Sequence, residues 1–107
     1  MPTIRIDYDD RAVSEEDART LSEAVQKIVY EVTTIEDTFV YANSPHIKIK
    51  VAPIEVYVQL SASKIGDVEE LFGKIKDRIS SWKKESAFKH PINLTLVPMQ
   101  WKFEVDI

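Results

Sequence analysis

The sequence predicts an α+β fold in which two β-α-β halves form one mixed sheet with two helices packed on one face. Three observations carry that expectation: short segments that alternate apolar and polar residues, two longer stretches with apolar residues at helical spacing, and the order in which they follow one another. The halves run roughly over 2–44 and 54–97 within a single expected domain of 1–107, and an alternating terminal strand is expected over 101–107.

Thr3 to Tyr8 alternates cleanly and places Ile4, Ile6 and Tyr8 on one face of a first strand. After the polar connector 9–13, Ser14 reads as an N-cap, and Glu15, Glu16 and Asp17 place negative charge in the first turn, where the helix dipole favours it. Ala18, Leu21, Val25, Ile28, Val29 and Val32 then recur at helical spacing. A return strand follows over 38–42, with Phe39 and Tyr41 on one side. Ile47, Ile49 and Val51 alternate with Lys48 and Lys50, which predicts a short hairpin arm or edge strand over 46–51, interrupted by Pro53.

Ile54, Val56, Val58 and Leu60 give the clearest strand. Near Asp67 a second helix opens, with Val68, Leu71, Phe72, Ile75, Ile79 and Trp82 as its core stripe and Lys83 and Lys84 at its C-terminal end. Ile92, Leu94 and Leu96 form a fourth strand that Pro98 is expected to stop. Trp101, Phe103, Val105 and Ile107 alternate with charged residues to the last position, with no following element to cover them. The face turned away from the helices is expected to carry Thr3, Arg5, Asp7, Glu55, Tyr57, Gln59, Asn93 and Thr95.

Composition narrows the function classes. A formal net charge of -4 with interspersed acids argues against a nucleic-acid binder, which needs a concentrated basic surface. No apolar run approaches the ~18 residues of a membrane span, and the first residues do not read as a signal peptide, so a cytoplasmic protein without membrane association is expected. Cysteine is absent, and His46 and His90 lack ligand spacing, so neither a metal nor another cofactor is expected. Only two glycines occur, too few for a phosphate loop.

Pro2 is the sharpest chemical candidate. Removal of Met1 would leave a secondary amine at the start of strand one, and an α-amino group titrates near ~8. Burial and nearby positive charge lower that value further, which suits a group that both takes and gives a proton.

Met1-Pro2, a short first strand, a polar turn with Arg11, a capped amphipathic helix and a return strand resemble the tautomerase superfamily, the N-terminal-proline fold of macrophage migration inhibitory factor. The pattern covers residues 2–44 and recurs more loosely over 54–97; the layout looks most like an uncharacterised bacterial or archaeal branch. The resemblance implies cofactor-independent keto–enol conversion of a small 2-oxo acid. Pro2 would shuttle the proton and Arg11 would hold the substrate carboxylate, whose two oxygens match the planar guanidinium fork. It also implies a homo-oligomer, with a trimer favoured.

Two departures support a second reading. The second arginine of small bacterial tautomerases falls at or near Phe39, with Tyr41 beyond it, and Ser44-Pro45-His46 has no counterpart. With Met1 attached, moreover, the Pro2 nitrogen is an amide without a basic lone pair. The alternative is a non-catalytic oligomeric assembly or binding module of the same fold, in which 101–107 adds to a neighbour's sheet edge. A ferredoxin-like RNA-binding sheet shares the element order but would display two or three aromatics on its open face, where the pattern places only Tyr57.

Overall fold

The computed structural model describes residues 1–107. Strands β1 (Thr3–Tyr8), β2 (Phe39–Asn43), β3 (Ile54–Ser61) and β4 (Asn93–Met99) form one sheet in the order β2-β1-β3-β4. Helix α1 (Glu15–Thr33) joins β1 to β2 and helix α2 (Val68–Ser86) joins β3 to β4. Each half pairs its own two strands in parallel, and the halves meet through the antiparallel pair β1/β3. Right-handed crossovers in both halves put the two helices on the same face. The ferredoxin-like alternative is excluded, because that fold separates the strands of each half by another strand.

The register follows from the alternation. Ile4 lies opposite Val40 and Val58, and Ile6 opposite Ala42 and Val56, so the apolar side chains line up under the helices. A one-residue slip would turn all of them to the other face. Ile4, Ile6, Leu21, Val25, Ile54, Val56, Val58, Leu60 and Ile75 are fully buried. Each such side chain contributes ~1.5–3 kcal/mol relative to exposure.

Both helices start as their sequences predict. The Ser14 hydroxyl accepts the Asp17 N–H at 3.0 Å and the Asp67 carboxylate accepts the Glu70 N–H at 3.2 Å. Both end on a residue in the left-handed region, Thr34 at φ 59° and Ala87 at φ 57°. Beyond Ala87, the Phe88 N–H returns to the Lys83 carbonyl at 3.1 Å, and the Phe88 ring packs 5.1 Å from Trp82.

Three local expectations are corrected. Residues 46–51 form no strand: Lys48 turns inward to Asp10 at 3.1 Å, leaving Ile47 and Ile49 79% and 94% exposed. The alternation there is real, but its polar member is the one that finds a partner within the chain. Residues 101–107 also form no strand, because no edge of the sheet is paired with them; Phe103, Val105 and Ile107 are exposed. Finally, β4 continues through Pro98 to Met99. It is an edge strand, where a missing amide donor is tolerated.

The antiparallel centre gives the sheet two distinct ends. At one end β1 starts and β3 finishes, with Thr3 opposite Gln59; here α1 also ends, β2 starts, and a 3-10 turn (Ala62–Lys64) leads into α2. At the other end Tyr8 lies opposite Ile54, so the connector after β1 and the segment 44–53 are brought together.

Candidate functional site

Pro2 belongs to the first end. Its side chain is fully buried, and by the alternation of β1 it shares the helix-covered face with Ile4 and Ile6. Its carbonyl accepts the Phe39 N–H at 3.1 Å, extending the β1/β2 pairing by one residue. Thr38, also buried, donates its hydroxyl to the Ile35 carbonyl at 2.8 Å and closes the turn into β2. At this end a hollow of about 260 Å³ opens between the end of α1 and the start of α2, with Val32, Thr33 and Lys64 in its wall. Asp67 and Glu70 also line it, but both are engaged, Asp67 as the α2 cap and Glu70 with Lys74 at 3.1 Å.

Arg11 belongs to the opposite end. It sits in the turn after β1, where Asp9 grips it twice, at Nε (2.8 Å) and Nη2 (3.0 Å), and also accepts its backbone N–H at 3.0 Å. The side-chain hydrogen bond from Arg11, reinforced by the backbone one, holds the Asp9 carboxyl below its ordinary 3.8, and the charge of Lys48 adds to the effect. The same bond to Asp9 raises the guanidinium above its usual value. Asp9 occupies one edge of the fork, leaving the Nη1 hydrogens free for another carboxylate.

The turn is braced from the segment 44–53. Asp9 N–H donates to the Pro53 carbonyl at 2.9 Å, Asp10 N–H to Ser44 Oγ at 3.3 Å, and Lys48 Nζ pairs with Asp10. The structure therefore does not bring Pro2 and Arg11 together within one chain. The length of β1 alone separates them by roughly 17 Å.

Across the open sheet face run the rows Phe39–Thr3–Gln59–Val97 and Tyr41–Arg5–Tyr57–Thr95. The Arg5 guanidinium lies 4.6 Å from the Tyr57 ring centroid and pairs with Asp7 at 3.3 Å. The eight residues expected on this face are all there, yet Phe39 and Tyr41 join Tyr57, so three aromatics share it rather than one. Expecting Phe39 at or near the place of a second arginine adds no cation, and the structure provides none at that position. His90 Nε2 meets Asp17 at 2.9 Å beside Phe88, tying the loop before β4 to the start of α1. No cluster of His, Asp and Glu has a metal-holding arrangement, and no helix is long and apolar enough to cross a membrane.

Lys64 was not among the candidates read from the sequence. It makes no salt bridge and stands in the hollow at the Pro2 end. Lys64 follows the last residue of β3 by three, as Arg11 follows the last residue of β1 by three.

Known structures share this architecture. An FG41 malonate semialdehyde decarboxylase inhibited by 3-bromopropiolate superposes with a TM-score of 0.70 at 18% identity, covering 98% of this chain and 91% of that one. A second malonate semialdehyde decarboxylase, described in wild-type, inactivated and first-residue proline-to-alanine forms, matches with a TM-score of 0.66 at 11% identity over 98% and 92% of the chains. A fused wild-type 4-OT, an asymmetric trimer, matches with a TM-score of 0.68 at 10% identity over 97% and 92%. The chain thus has the tautomerase-like fold, also seen in a macrophage migration inhibitory factor-like protein. No family model and no curated protein matches the sequence.

Proposed function

We propose that the chain is a cofactor-independent tautomerase or isomerase that moves a proton in keto–enol conversion of a small 2-oxo acid, with Pro2 as base and acid. The observation that supports this most is the burial of Pro2 at the start of a central strand of a tautomerase-like fold. Freed of Met1, Pro2 would carry a secondary amine, the group that this reading needs as base and acid.

In this reading Arg11 holds the substrate carboxylate, and the length of β1 makes it act on the Pro2 of another copy. A homo-oligomer is therefore part of the proposal, with a trimer favoured; the fused 4-OT relative is itself trimeric. The exposed Ile47, Ile49, Phe39 and Tyr41 provide apolar surface for such contacts.

The decisive measurement starts with the mass of untagged protein, followed by enolisation of phenylpyruvate. Loss of Met1 is expected, with a fall of about 100-fold or more in Pro2→Ala. Retained Met1, or equal activity in Pro2→Ala, would overturn the catalytic role.

A second reading, a non-catalytic oligomeric assembly or binding module, is favoured by the exposed tail: Phe103 and Val105 are 57% and 60% exposed beside an unpaired sheet edge. Light scattering at micromolar concentration distinguishes an oligomer, which both readings expect, from a monomer, which contradicts both.

A further inference from the structure

We infer that the flank between α2 and β4 is a second binding site, separate from Pro2 and Arg11, that takes an amphipathic alkyl carboxylate. The hydrocarbon chain lies on the apolar floor and the head group is held by lysines of α2.

Helical spacing builds one wall. Phe72, Lys76, Ile79 and Lys83 recur every three or four residues, so apolar side chains and cations share one stripe of α2. With Ile92 and Leu94 they line a groove of about 570 Å³, within the range of small-molecule sites. Ile79 is buried, whereas Phe72, Ile92 and Leu94 stay half-buried, because β4 is an outer strand with no further strand beside it. Ser80 and Lys83 also line an adjoining hollow of about 510 Å³ toward the end of α2, where Lys84 adds a third cation. Neither Pro2 nor Arg11 lines either space.

Charge decides the class of ligand. The chain carries a formal net charge of -4, yet Lys76, Lys83 and Lys84 are the only charged residues lining the two spaces. None of them enters a salt bridge; the cations of α2 that do are Lys74, with Glu70, and Arg78, with Glu31. The helix dipole accounts for Lys83 and Lys84, but it falls off within the last turn and does not reach Lys76. Lys76 and Lys83 are two turns apart, about 10.5 Å along the axis. Their flexible stems can lie over the floor and bring both ammonium groups to one carboxylate between them, on the Ser80 side of the groove. A neutral apolar ligand would leave these cations unused, and a simple anion would leave the floor wet. A molecule with both parts uses both.

The test is a titration of ¹⁵N-labelled protein with decanoate below its micellar concentration, followed by amide shifts. Shifts are expected over 72–84 and 92–94, with affinity about tenfold lower for hexanoate, which buries less chain. The Lys76→Gln/Lys83→Gln double variant is expected to bind decanoate about tenfold more weakly, and Lys76→Arg/Lys83→Arg to stay within about threefold of wild type. Decyltrimethylammonium, the same chain with a cationic head, is expected to leave the groove unshifted. Both lysines lie on the helix surface without ionic partners, so neither pair of substitutions threatens the fold. Affinity unchanged in the glutamine variant, shifts spread over the chain or confined to other regions, equal binding of the cationic probe, or no binding by wild type would each overturn the inference.

Discussion

The two β-α-β halves share a plan but are covered unequally. Helix α1 buries Ala18, Leu21, Val25, Ile28 and Val29, whereas α2 buries only Ile75 and Ile79. The central strands β1 and β3 bury Ile4, Ile6, Ile54, Val56, Val58 and Leu60, while the outer strand β4 has no fully buried residue. A repeat of one topology therefore does not repeat its energetics. The helix of the first half supplies more of the core than that of the second, which leaves the flank of α2 and β4 half open, in a groove lined by Phe72, Ile92 and Leu94.

The same substitution placed in each half gives the largest contrast. Leu21→Ala, at a fully buried site, is expected to cost about 3–5 kcal/mol in chemical denaturation, against about 1–2 kcal/mol for Leu71→Ala at a half-buried one. Equal losses would show that the flank of α2 is as well packed as that of α1 and remove the contrast. The helix ends offer a smaller one. Thr34 and Ala87 both occupy the left-handed region, which penalises any Cβ and a branched one most. Thr34→Gly is expected to stabilise by about 1 kcal/mol and Ala87→Gly by about half that, read as shifts in the unfolding midpoint.

The smallest effect is electrostatic and confined to the first half. Asp9 has a depressed folded pKa, so its contribution is present above its unfolded value of about 3.9 and is lost as pH falls through the lower folded value. Thermal melts of wild type and Asp9→Asn from about pH 5 to about pH 2 are expected to converge at the acid end. Because the Arg11 side chain is exposed to solvent, salt should reduce the difference. Curves that stay parallel would show that Asp9 gains nothing from Arg11.

What was legible was what local periodicity governs; what depended on distant pairing or on the ends of a strand was not. The alternation of 54–60 and the stripe of α1 specified their faces because burial acts on every second or every third to fourth residue. Lys48 could not be read that way. Its inward turn depends on Asp10, nearly forty positions away, and on the β1/β3 register that brings the two segments together. The distance between Pro2 and Arg11 was also hidden, since adjacency in a resemblance says nothing of the ends of a strand.

The antiparallel centre has one more consequence, and it concerns stoichiometry. Pro53 precedes β3 as Pro2 precedes β1, so a proline stands at the entrance of each half, and Pro53 lies at the end that Arg11 occupies. Joining the halves in one polypeptide makes the Pro53 nitrogen a tertiary amide bonded to Ala52. A two-halved chain can therefore offer at most one proline amine for its two equivalent entrances. Chemistry at such an amine would be limited to one centre per chain, however symmetrical the backbone around it.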